Sequence, residues 1–200
     1  METLSPAFLT QVGILQMMSE DVSWTAYWHY WLQNQSDKSQ QFWTKLADIY
    51  LPKLIEATKN SIHSNEISND INRPFSNSRC FIKQGLPNKM HTLCALLNAL
   101  QNVSEPVNYD DYNNIFCLAA VWSFSGTVCP QYHSAVDQWW RDTFPDHLQF
   151  PQDETVFDYG LDVKNHSFVK WTELEADSLI SNKKRTDFTY SKKTLVTVTF

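Results

Sequence analysis

The chain has 200 residues, 42% of them hydrophobic and 14% aromatic, which suits one packed domain or one and a half. Its formal charge of −6 argues against nucleic-acid binding, which needs clustered Lys and Arg, and no apolar run approaches the roughly 20 residues that cross a membrane. The N-terminus lacks the pattern of a secretory signal, so we expect an intracellular protein whose four cysteines are reduced.

The chain contains only four glycines, and this scarcity bears on nucleotide binding. Phosphate-binding loops use glycine to bring backbone N–H groups close to the anion. Neither Gly-x-x-x-x-Gly-Lys-(Ser/Thr) nor Gly-x-Gly-x-x-Gly occurs in the sequence. We therefore expect no nucleotide site, no catalytic residue and no cofactor in this chain by itself.

Residues 1–32 predict a strand followed by a helix. The segment 1–20 contains Ser5-Pro6 and the apolar run Val12-Gly13-Ile-Leu, which is consistent with a short helix or loop leading into a buried strand. Ser23 stands where it can cap a helix through Leu32. Four aromatic residues at helical spacing share one face of that helix, which we expect to be buried: Trp24, Tyr27, Trp28 and Trp31.

A second helical pattern runs from Ser39 to about Asn60 and contains Pro52. Because proline lacks an N–H group, it predicts a kink or a restart there, and hence two shorter helices. The apolar stripe of this pattern consists of Phe42, Leu46, Ile49 and Tyr50. Residues 61–88 are rich in Ser, Asn, Pro and charge, which predicts a long mobile surface loop with a short ordered turn at Cys80-Phe-Ile82.

Three further helices are predicted between residues 88 and 148. The first is amphipathic, with Met90, Leu93, Leu97 and Leu100 on one face. The second, 112–126, is apolar on almost every face over Ile115–Phe124, which is typical of a helix surrounded by others. The third presents Tyr132, Val136, Trp139 and Trp140 over a narrow arc, and Pro145 ends it. We expect the second helix to be the centre of a bundle.

Beyond Pro151 the apolar pattern changes from helical to alternating. Residues Thr155–Asp162 and Ser167–Trp171 predict two strands joined by the polar residues 163–166, as in a hairpin. The β-branched run Leu195–Phe200 predicts one more strand, which would need a partner strand.

Three motifs in this order resemble dynein heavy chains. Phe116-Cys-Leu-Ala-Ala-Val-Trp-Ser-Phe-Ser-Gly126 is similar to the family's Phe-Ala-x-Val-Trp-(Ser/Ala)-Phe-Gly-Gly, and Val136-Asp-Gln-Trp-Trp140 to its Phe-x-x-Trp-Trp. Phe150-Pro-Gln-Asp-Glu-Thr-Val-Phe-Asp-Tyr159 is similar to Phe-Pro-x-x-Gly-Thr-Val-Phe-Asp-Tyr. Nearer the N-terminus, residues 4–14 resemble Ile-Ser-Pro-Ala-Thr-Val-Ser-Arg-Cys-Gly-Met. The resemblance covers about residues 2–172, and these residues carry it: Ser5, Pro6, Gly13, Trp24, Trp122, Phe124, Gly126, Trp139, Trp140, Phe150, Pro151, Thr155, Phe157, Asp158, Tyr159 and Trp171.

The resemblance implies a mainly α-helical AAA+ lid at the end of the second AAA+ module of a motor ring. Residues 1–20 would close the large subdomain of that module, 21–148 would form the helical lid, and 149–200 would be a hairpin entering the third module. The implied role is a non-catalytic mechanochemical one in ATP-driven microtubule-based movement, with ATP bound by other parts of the parent. The implied partners are neighbouring AAA+ modules, dynein intermediate and light chains and microtubules, in a cilium or axoneme or alternatively in the cytoplasm.

The sequence departs from the family pattern at three positions. Gln11 occupies the position of an arginine that in the family faces the nucleotide of the neighbouring module, and it lacks that fixed positive charge. Ser125 and Glu154 each replace a glycine, so any left-handed backbone required there would be strained.

Other chemistries find weaker support in the sequence. Cys129-x-x-x-His133 has zinc-ligand spacing, but no second pair of ligands completes a site. Asp110, Asp111, Asp137 and Asp158 are more typical of helix starts and turns than of acid–base catalysis. The tryptophans lack the interleaved Arg and Lys of a surface that stacks nucleic-acid bases.

Two functional hypotheses follow from the sequence. One is a segment of a dynein motor ring, and the alternative is a free-standing helical protein-interaction domain derived from such a chain, a truncated isoform without motor activity. The strand-like Thr197–Phe200 would need a partner in flanking sequence, which favours the first hypothesis.

Overall fold

The computed structural model describes residues 23–62, 74–75, 79–103, 105–162 and 164–174. The helices are α1 (Trp24–Gln33), α2 (Asp37–Ile62), α3 (Leu86–Val103), α4 (Tyr109–Ser125) and α5 (His133–Thr143), and a short 3₁₀ turn, Pro130–Tyr132, precedes α5. The strands β1 (Tyr159–Asp162) and β2 (Ser167–Lys170) follow. Among the helices of the described ranges, none is long and apolar enough to span a bilayer. The mainly α class with a small hairpin is confirmed.

Several predicted features lie outside the described residues. They are the N-terminal strand with Ser5, Pro6, Gln11 and Gly13, residues 63–73 and 76–78 of the loop near 61–88, and the strand 195–200.

Helix α1 buries Trp28 and Trp31 against the core, with Trp24 packed partly against it, as its aromatic spacing predicts. The prediction that Tyr27 is buried with them is wrong, because its side chain is 37% exposed and packs only against His91 among the described rings. Ser23 is the N-cap residue of this helix, as predicted, but its side chain makes no capping hydrogen bond. The Ser23 hydroxyl is hydrogen-bonded to the hydroxyl of Thr25 and not to the backbone of the first turn.

Helix α2 is continuous through Pro52, so the prediction of two shorter helices is wrong. Pro52 is exposed, on the side of the helix where water can hydrate a carbonyl group that has lost its partner. The opposite side is anchored in the core before and after the proline, by Trp43, Leu46, Tyr50 and Leu54. Burial on both sides of Pro52 outweighs the loss of one backbone hydrogen bond.

The ordered turn at Cys80 is confirmed. Cys80 and Val128 form an isolated antiparallel bridge, flanked by hydrogen bonds from Phe81 N to Thr127 O (2.9 Å) and from Cys129 N to Arg79 O (2.8 Å). The prediction of a surface segment is wrong at Phe75, because its buried ring packs edge-on against Trp139 with centroids 5.2 Å apart.

Helix α4 is the centre of the bundle, as predicted. Every residue from Tyr112 to Ser125 is buried, and α2, α3 and the hairpin all contact this helix. Its start is fixed by a capping box: Asn108 Oδ1 accepts from Asp111 N (2.9 Å), and the Asp111 carboxylate accepts from Asn108 N (3.2 Å). Asp111 therefore has the capping role that its position indicates.

The hairpin is confirmed, but its first strand begins at Tyr159 and not at Thr155. β1 and β2 are antiparallel, with Tyr159 opposite Lys170 and Asp162 opposite Ser167. Residues 155–158 form a turn instead, closed by a hydrogen bond from Asp158 N to Thr155 O (3.0 Å). The Asp158 carboxylate also accepts from Thr155 N (3.2 Å) and Thr155 Oγ1 (2.6 Å), so local hydrogen bonds replace strand pairing there.

Candidate functional site at the junction of bundle and hairpin

The hairpin is joined to the central helix by aromatic contacts. The Trp122 ring meets the rings of Phe157 and Trp171 edge-on, each with centroids 6.2 Å apart. Trp171 Nε1 donates a hydrogen bond to Phe157 O (3.2 Å), which fixes the relative positions of these two residues. Aromatic pairs in this geometry add stabilisation beyond burial alone. Three residues distant in the sequence therefore form one contact between α4 and the hairpin.

Two glycines permit the close approaches at this junction. Gly126 ends α4 with right-handed helical angles, φ −61° and ψ −17°, and a Cβ there would collide with the Trp122 carbonyl oxygen. At Gly160, in β1, a Cβ would lie 2.7 Å from Leu174 Cδ1 and 2.8 Å from the Trp171 ring. Gly160 thus lets Trp171 lie across the strand. Gly160 was not predicted from the sequence, although an isolated glycine in a strand pattern is a signal of a close approach.

Ser125 is integrated into the core without backbone strain. It is fully buried at the last position of α4, and its hydroxyl accepts a hydrogen bond from Trp140 Nε1 (2.9 Å). Among the described non-glycine residues the only positive φ is at His166, so the strain expected at Ser125 and Glu154 does not occur. The Trp139 and Trp140 rings are themselves edge-to-face, 5.4 Å apart.

An ion pair on α5, here called the Asp137–Arg141 clamp, holds the chain between the bundle and the hairpin. Arg141 Nε lies 3.1 Å from both Asp137 carboxylate oxygens, and Asp137 Oδ1 accepts from Val156 N (2.8 Å). The guanidinium also donates to the carbonyl oxygens of Phe150 (3.4 Å), Pro151 (2.9 Å) and Glu154 (3.0 Å). Because these contacts occupy the Asp137 carboxylate, its role is positional.

A second polar group lies at the base of the hairpin. Lys170 Nζ lies 2.7 Å from Asp153 Oδ2 and 2.9 Å from Glu154 Oε1, and the Tyr159 hydroxyl is hydrogen-bonded to Asp153. The hydrogen bond from Lys170 lowers the pKa of Asp153 to about 2, with the Tyr159 hydroxyl adding to the effect. Beneath this group Phe150 stacks on Phe168 with centroids 3.8 Å apart. Glu154 thus contributes to hairpin attachment through its carboxylate and its backbone.

The turn of the hairpin is attached to the start of α4. Asn114 Nδ2 donates to His166 O (2.8 Å), and His166 Nδ1 lies 3.7 Å from Asp111 Oδ1. His166 is buried with φ 49°, a left-handed conformation that the surrounding contacts maintain. The hairpin is therefore held near both ends of the central helix, by Asn114 at one and Trp122 at the other.

A buried lysine contacts the C-terminal end of α4. Lys89 is 3% exposed, and its Nζ donates to Phe124 O (2.6 Å) while lying 5.4 Å and 5.8 Å from the ring centroids of Phe75 and Phe124. Burial lowers the pKa of its ammonium to about 8, and the charge of nearby Cys80 opposes that effect. Lys89 was not predicted to be buried, although it stands four residues before Leu93, which belongs to the apolar stripe of α3.

The structure assigns packing and backbone contacts to the residues considered for metal binding. The His133 ring stacks on Phe157 with centroids 4.0 Å apart, and its Nε2 lies 3.2 Å from Val128 O. Among the described residues, no group of three or more His, Cys, Asp or Glu side chains is placed to hold a metal ion.

A helical bundle around one buried helix, with a short hairpin docked on that helix, is the architecture of an AAA lid domain. Residues 43–173, more than half of the chain, match the family model described as the dynein heavy chain AAA lid domain. The chain therefore belongs to the dynein heavy chain AAA lid family. The resemblance to dynein heavy chains seen in the sequence is confirmed at this level.

The chain is similar to several axonemal and ciliary dyneins. It is 28% identical over 183 residues to dynein axonemal heavy chain 11 of Sus scrofa and 25% identical over 185 residues to the ciliary dynein beta chain of Tripneustes gratilla. It is 23% identical over 186 residues to dynein axonemal heavy chain 9 of Homo sapiens. The matches cover 86–87% of this chain, which spans about 4% of the length of these curated relatives. No solved structure matches the chain.

Proposed function

We propose that the chain is a non-catalytic mechanochemical segment of a dynein motor ring, spanning the end of the second AAA+ module and the start of the third. It contributes to ATP-driven, microtubule-based movement only within the full motor, where ATP is bound and hydrolysed by other parts. The observation that supports this proposal is the attachment of the hairpin to the bundle at several separate points. Because of this attachment, the hairpin moves together with the lid whenever the lid is displaced.

The contacts at the junction differ in kind, which favours transmission of movement over flexible linkage. Trp122, Phe157 and Trp171 resist separation through buried apolar surface. The Asp137–Arg141 clamp and the hydrogen bond from Asn114 to His166 O are directional, so they also resist rotation. A hairpin held in this way transmits rigid-body motion from one module to the next.

The named relatives suggest the cellular setting of the proposal. They are described as axonemal heavy chains and a ciliary beta chain, and on that basis we propose a cilium or axoneme for the parent, with the cytoplasm as the alternative. The proposed partners are the neighbouring AAA+ modules and, through the parent, intermediate and light chains and microtubules. Gln11 remains predicted to weaken contact with a neighbouring nucleotide.

The first test uses the purified 200-residue chain. We expect no ATP hydrolysis and no co-sedimentation with microtubules, measured beside an intact dynein motor domain as the positive control. Nucleotide-dependent binding of the chain to microtubules would overturn the non-catalytic, transmission-only role.

The second test asks whether the junction transmits movement and separates this role from that of a free-standing interaction domain. Residues 23–174 replace the matching segment in the motor domain of human dynein axonemal heavy chain 9, with and without Trp122→Ala. We expect the chimera to move microtubules in a gliding assay and the Trp122→Ala chimera to bind ATP but move them more slowly. Phe81→Ala, at an aromatic residue that is 73% exposed, is the control. Equal velocities for all three chimeras would exclude transmission through this junction.

A further inference from the structure

Among the described residues, the outer edge of β2 has no partner strand. Tyr159 of β1 is paired with Lys170 of β2, and Trp171 N donates to Asp158 O (3.1 Å) just beyond this pair. This bond makes Tyr159 and Lys170 a non-hydrogen-bonded pair of the antiparallel ladder, in which the two kinds of pair alternate. The backbone N–H and C=O groups of Phe168 and Lys170 therefore point away from β1.

The edge formed by these groups is accessible. In β2, Ser167 is exposed and residues 168–170 are half-buried, whereas residues 159–161 of β1 are buried. Within the ranges that the structure describes, the outward N–H groups of Phe168 and Lys170 make no hydrogen bond. A strand edge of this kind binds a further extended segment through main-chain hydrogen bonds.

The two faces of the hairpin differ in polarity beside this edge. On one face the Phe168 ring stacks on Phe150 with centroids 3.8 Å apart, and the cross-strand partner of Phe168, Leu161, is buried. On the other face Ser167 is exposed and Val169 is half-buried. A strand that extends this sheet therefore needs apolar side chains at one set of alternate positions and polar side chains at the other.

We propose that residues 195–200 of this chain, which lie outside the described residues, pair antiparallel with the outer edge of β2. Four of these six residues are Val or Thr, which favour extended backbone. Apolar and hydroxyl side chains alternate in the segment as the two faces require, with Val196, Val198 and Phe200 on one side and Thr197 and Thr199 on the other.

One register satisfies both faces. With Val198 opposite Phe168, the apolar side chains of the segment extend the layer that Phe168 forms with Phe150. Thr197 is then opposite Val169, on the more exposed face. Because the backbone groups of Phe168 point outward, Phe168 N donates to Val198 O in this register, and Val198 N donates to Phe168 O.

Charge favours the antiparallel direction. This direction brings Lys192 and Lys193, which precede the segment, to the end of β2 at Lys170. The carboxylates of Asp153 and Glu154 lie at that end, 56% and 45% exposed, and both contact the single ammonium group of Lys170, so the group keeps a net negative charge. A parallel strand would place the two lysines at the opposite end of β2, near the exposed Lys164 in the turn, where charges of the same sign repel each other.

The length of the connection permits this pairing within one chain. Residues 175–194 join the last described residue to the segment, and an extended chain of that length spans roughly 65 Å, far more than a return to the neighbouring strand requires. A second copy of the chain offers the same segment, but a tethered segment has the higher effective concentration. The occupant is therefore the chain's own segment, and a second copy is the competing outcome of the test.

The test is hydrogen–deuterium exchange of the 200-residue chain, followed in ¹H–¹⁵N spectra. The Phe168 and Lys170 amides should exchange about tenfold more slowly in the unmodified chain than in Val198→Pro, because proline removes the N–H that donates to Phe168 O. Lys184→Pro is the matched control, since it introduces proline into the polar residues 183–185 of the connection, and it should leave the exchange of both amides unchanged.

The Val169 amide reports whether the hairpin itself is intact. Val169 is paired with Gly160 in a hydrogen-bonded pair that faces β1, so its exchange should be the same in all three proteins. A second measurement needs no variant: the α-protons of Val169 and Thr197 should give a nuclear Overhauser effect, because the α-carbons of a non-hydrogen-bonded pair lie about 4.5 Å apart.

The proposal is overturned if this effect is absent, or if the Phe168 and Lys170 amides exchange equally fast in the unmodified chain and in Val198→Pro. Protection that disappears on dilution, as analytical ultracentrifugation shows a dimer becoming a monomer, would assign the edge to a second copy and would also overturn it. The pairing does not depend on the motor-ring role, which the chimeras of residues 23–174 test separately.

Discussion

Replacement of the buried Lys89 by methionine should make the stability of the chain respond differently to pH. Methionine has similar length and helix propensity but no charge, so Lys89→Met removes the titration and keeps most of the packing. It also removes the donor to Phe124 O, 2.6 Å away in the wild type, and leaving that buried acceptor unpaired costs about 1–3 kcal/mol.

The magnitude follows from the pKa of Lys89. Burial lowers this pKa from 10.5 to about 8, so between these values the unfolded chain binds more protons than the folded chain. The charge of buried Lys89 therefore lowers stability by its full amount below pH 8, and this penalty disappears as the pH rises to 10.5 and above. One pKa unit corresponds to about 1.4 kcal/mol, so the full effect is about 3 kcal/mol. At pH 7 the wild type carries the penalty of a buried charge, and the variant carries the cost of an unpaired carbonyl group. The free energies of unfolding of the two proteins should therefore be similar at this pH.

The assay is urea unfolding at pH 7, 8, 9 and 10, followed by circular dichroism, for the wild type and for Lys89→Met. Between pH 7 and 10 we expect the free energy of unfolding of the wild type to rise by about 2–3 kcal/mol relative to the variant. Burial raises the pKa values of Cys94 and Cys117 to about 12, so their contributions fall above pH 9, but equally in both proteins.

Lys59→Met is the matched control, since it makes the same exchange at an exposed position of a helix. A constant difference between the wild type and Lys89→Met over this range would refute the assignment of Lys89 as a buried, destabilised cation.

Three further substitutions test the packing of the junction. Trp122→Ala should lower the free energy of unfolding, measured by urea unfolding, by about 3–5 kcal/mol because it leaves a cavity beside Trp171. An unchanged free energy of unfolding would show that this contact is not central to the fold. Ser125→Ala should cost about 1–3 kcal/mol because the buried Trp140 Nε1 loses its acceptor, whereas Ser125→Thr keeps a hydroxyl for comparison. Gly160→Ala should cost about 1–3 kcal/mol, with a weaker near-ultraviolet signal from Trp171 as the added Cβ displaces that ring, and a signal equal to that of the wild type would contradict the close approach.

Local patterns in the sequence were sufficient to predict most of the helices. The all-round apolar character of α4 predicted its central place, and the spacing of Trp28 and Trp31 predicted the buried face of α1. These predictions succeed because burial of an apolar face depends on the period of the side chains along one element, which the sequence contains. The error at Pro52 has a matching cause: local propensity was outweighed by burial on both sides of the proline.

The family was also accessible from the sequence, because motifs in a fixed order mark dynein heavy chains, and the family match over residues 43–173 agrees. The motifs identified Trp122, Phe157 and Trp171 individually but said nothing of their mutual contact. From the sequence, Ser125 was expected to be strained if a left-handed backbone were required there, whereas in the folded chain its hydroxyl accepts a hydrogen bond from a buried indole.

The sequence by itself determined which elements form, which faces are apolar and to which family the chain belongs. Only the tertiary structure decided that Lys89 reaches the end of α4 and that Asp137 and Arg141 hold residues 150–156. The physical reason is that a polar side chain is stabilised by the partner it meets. Those partners are backbone and side-chain atoms of distant residues, whose proximity no local period of the sequence encodes.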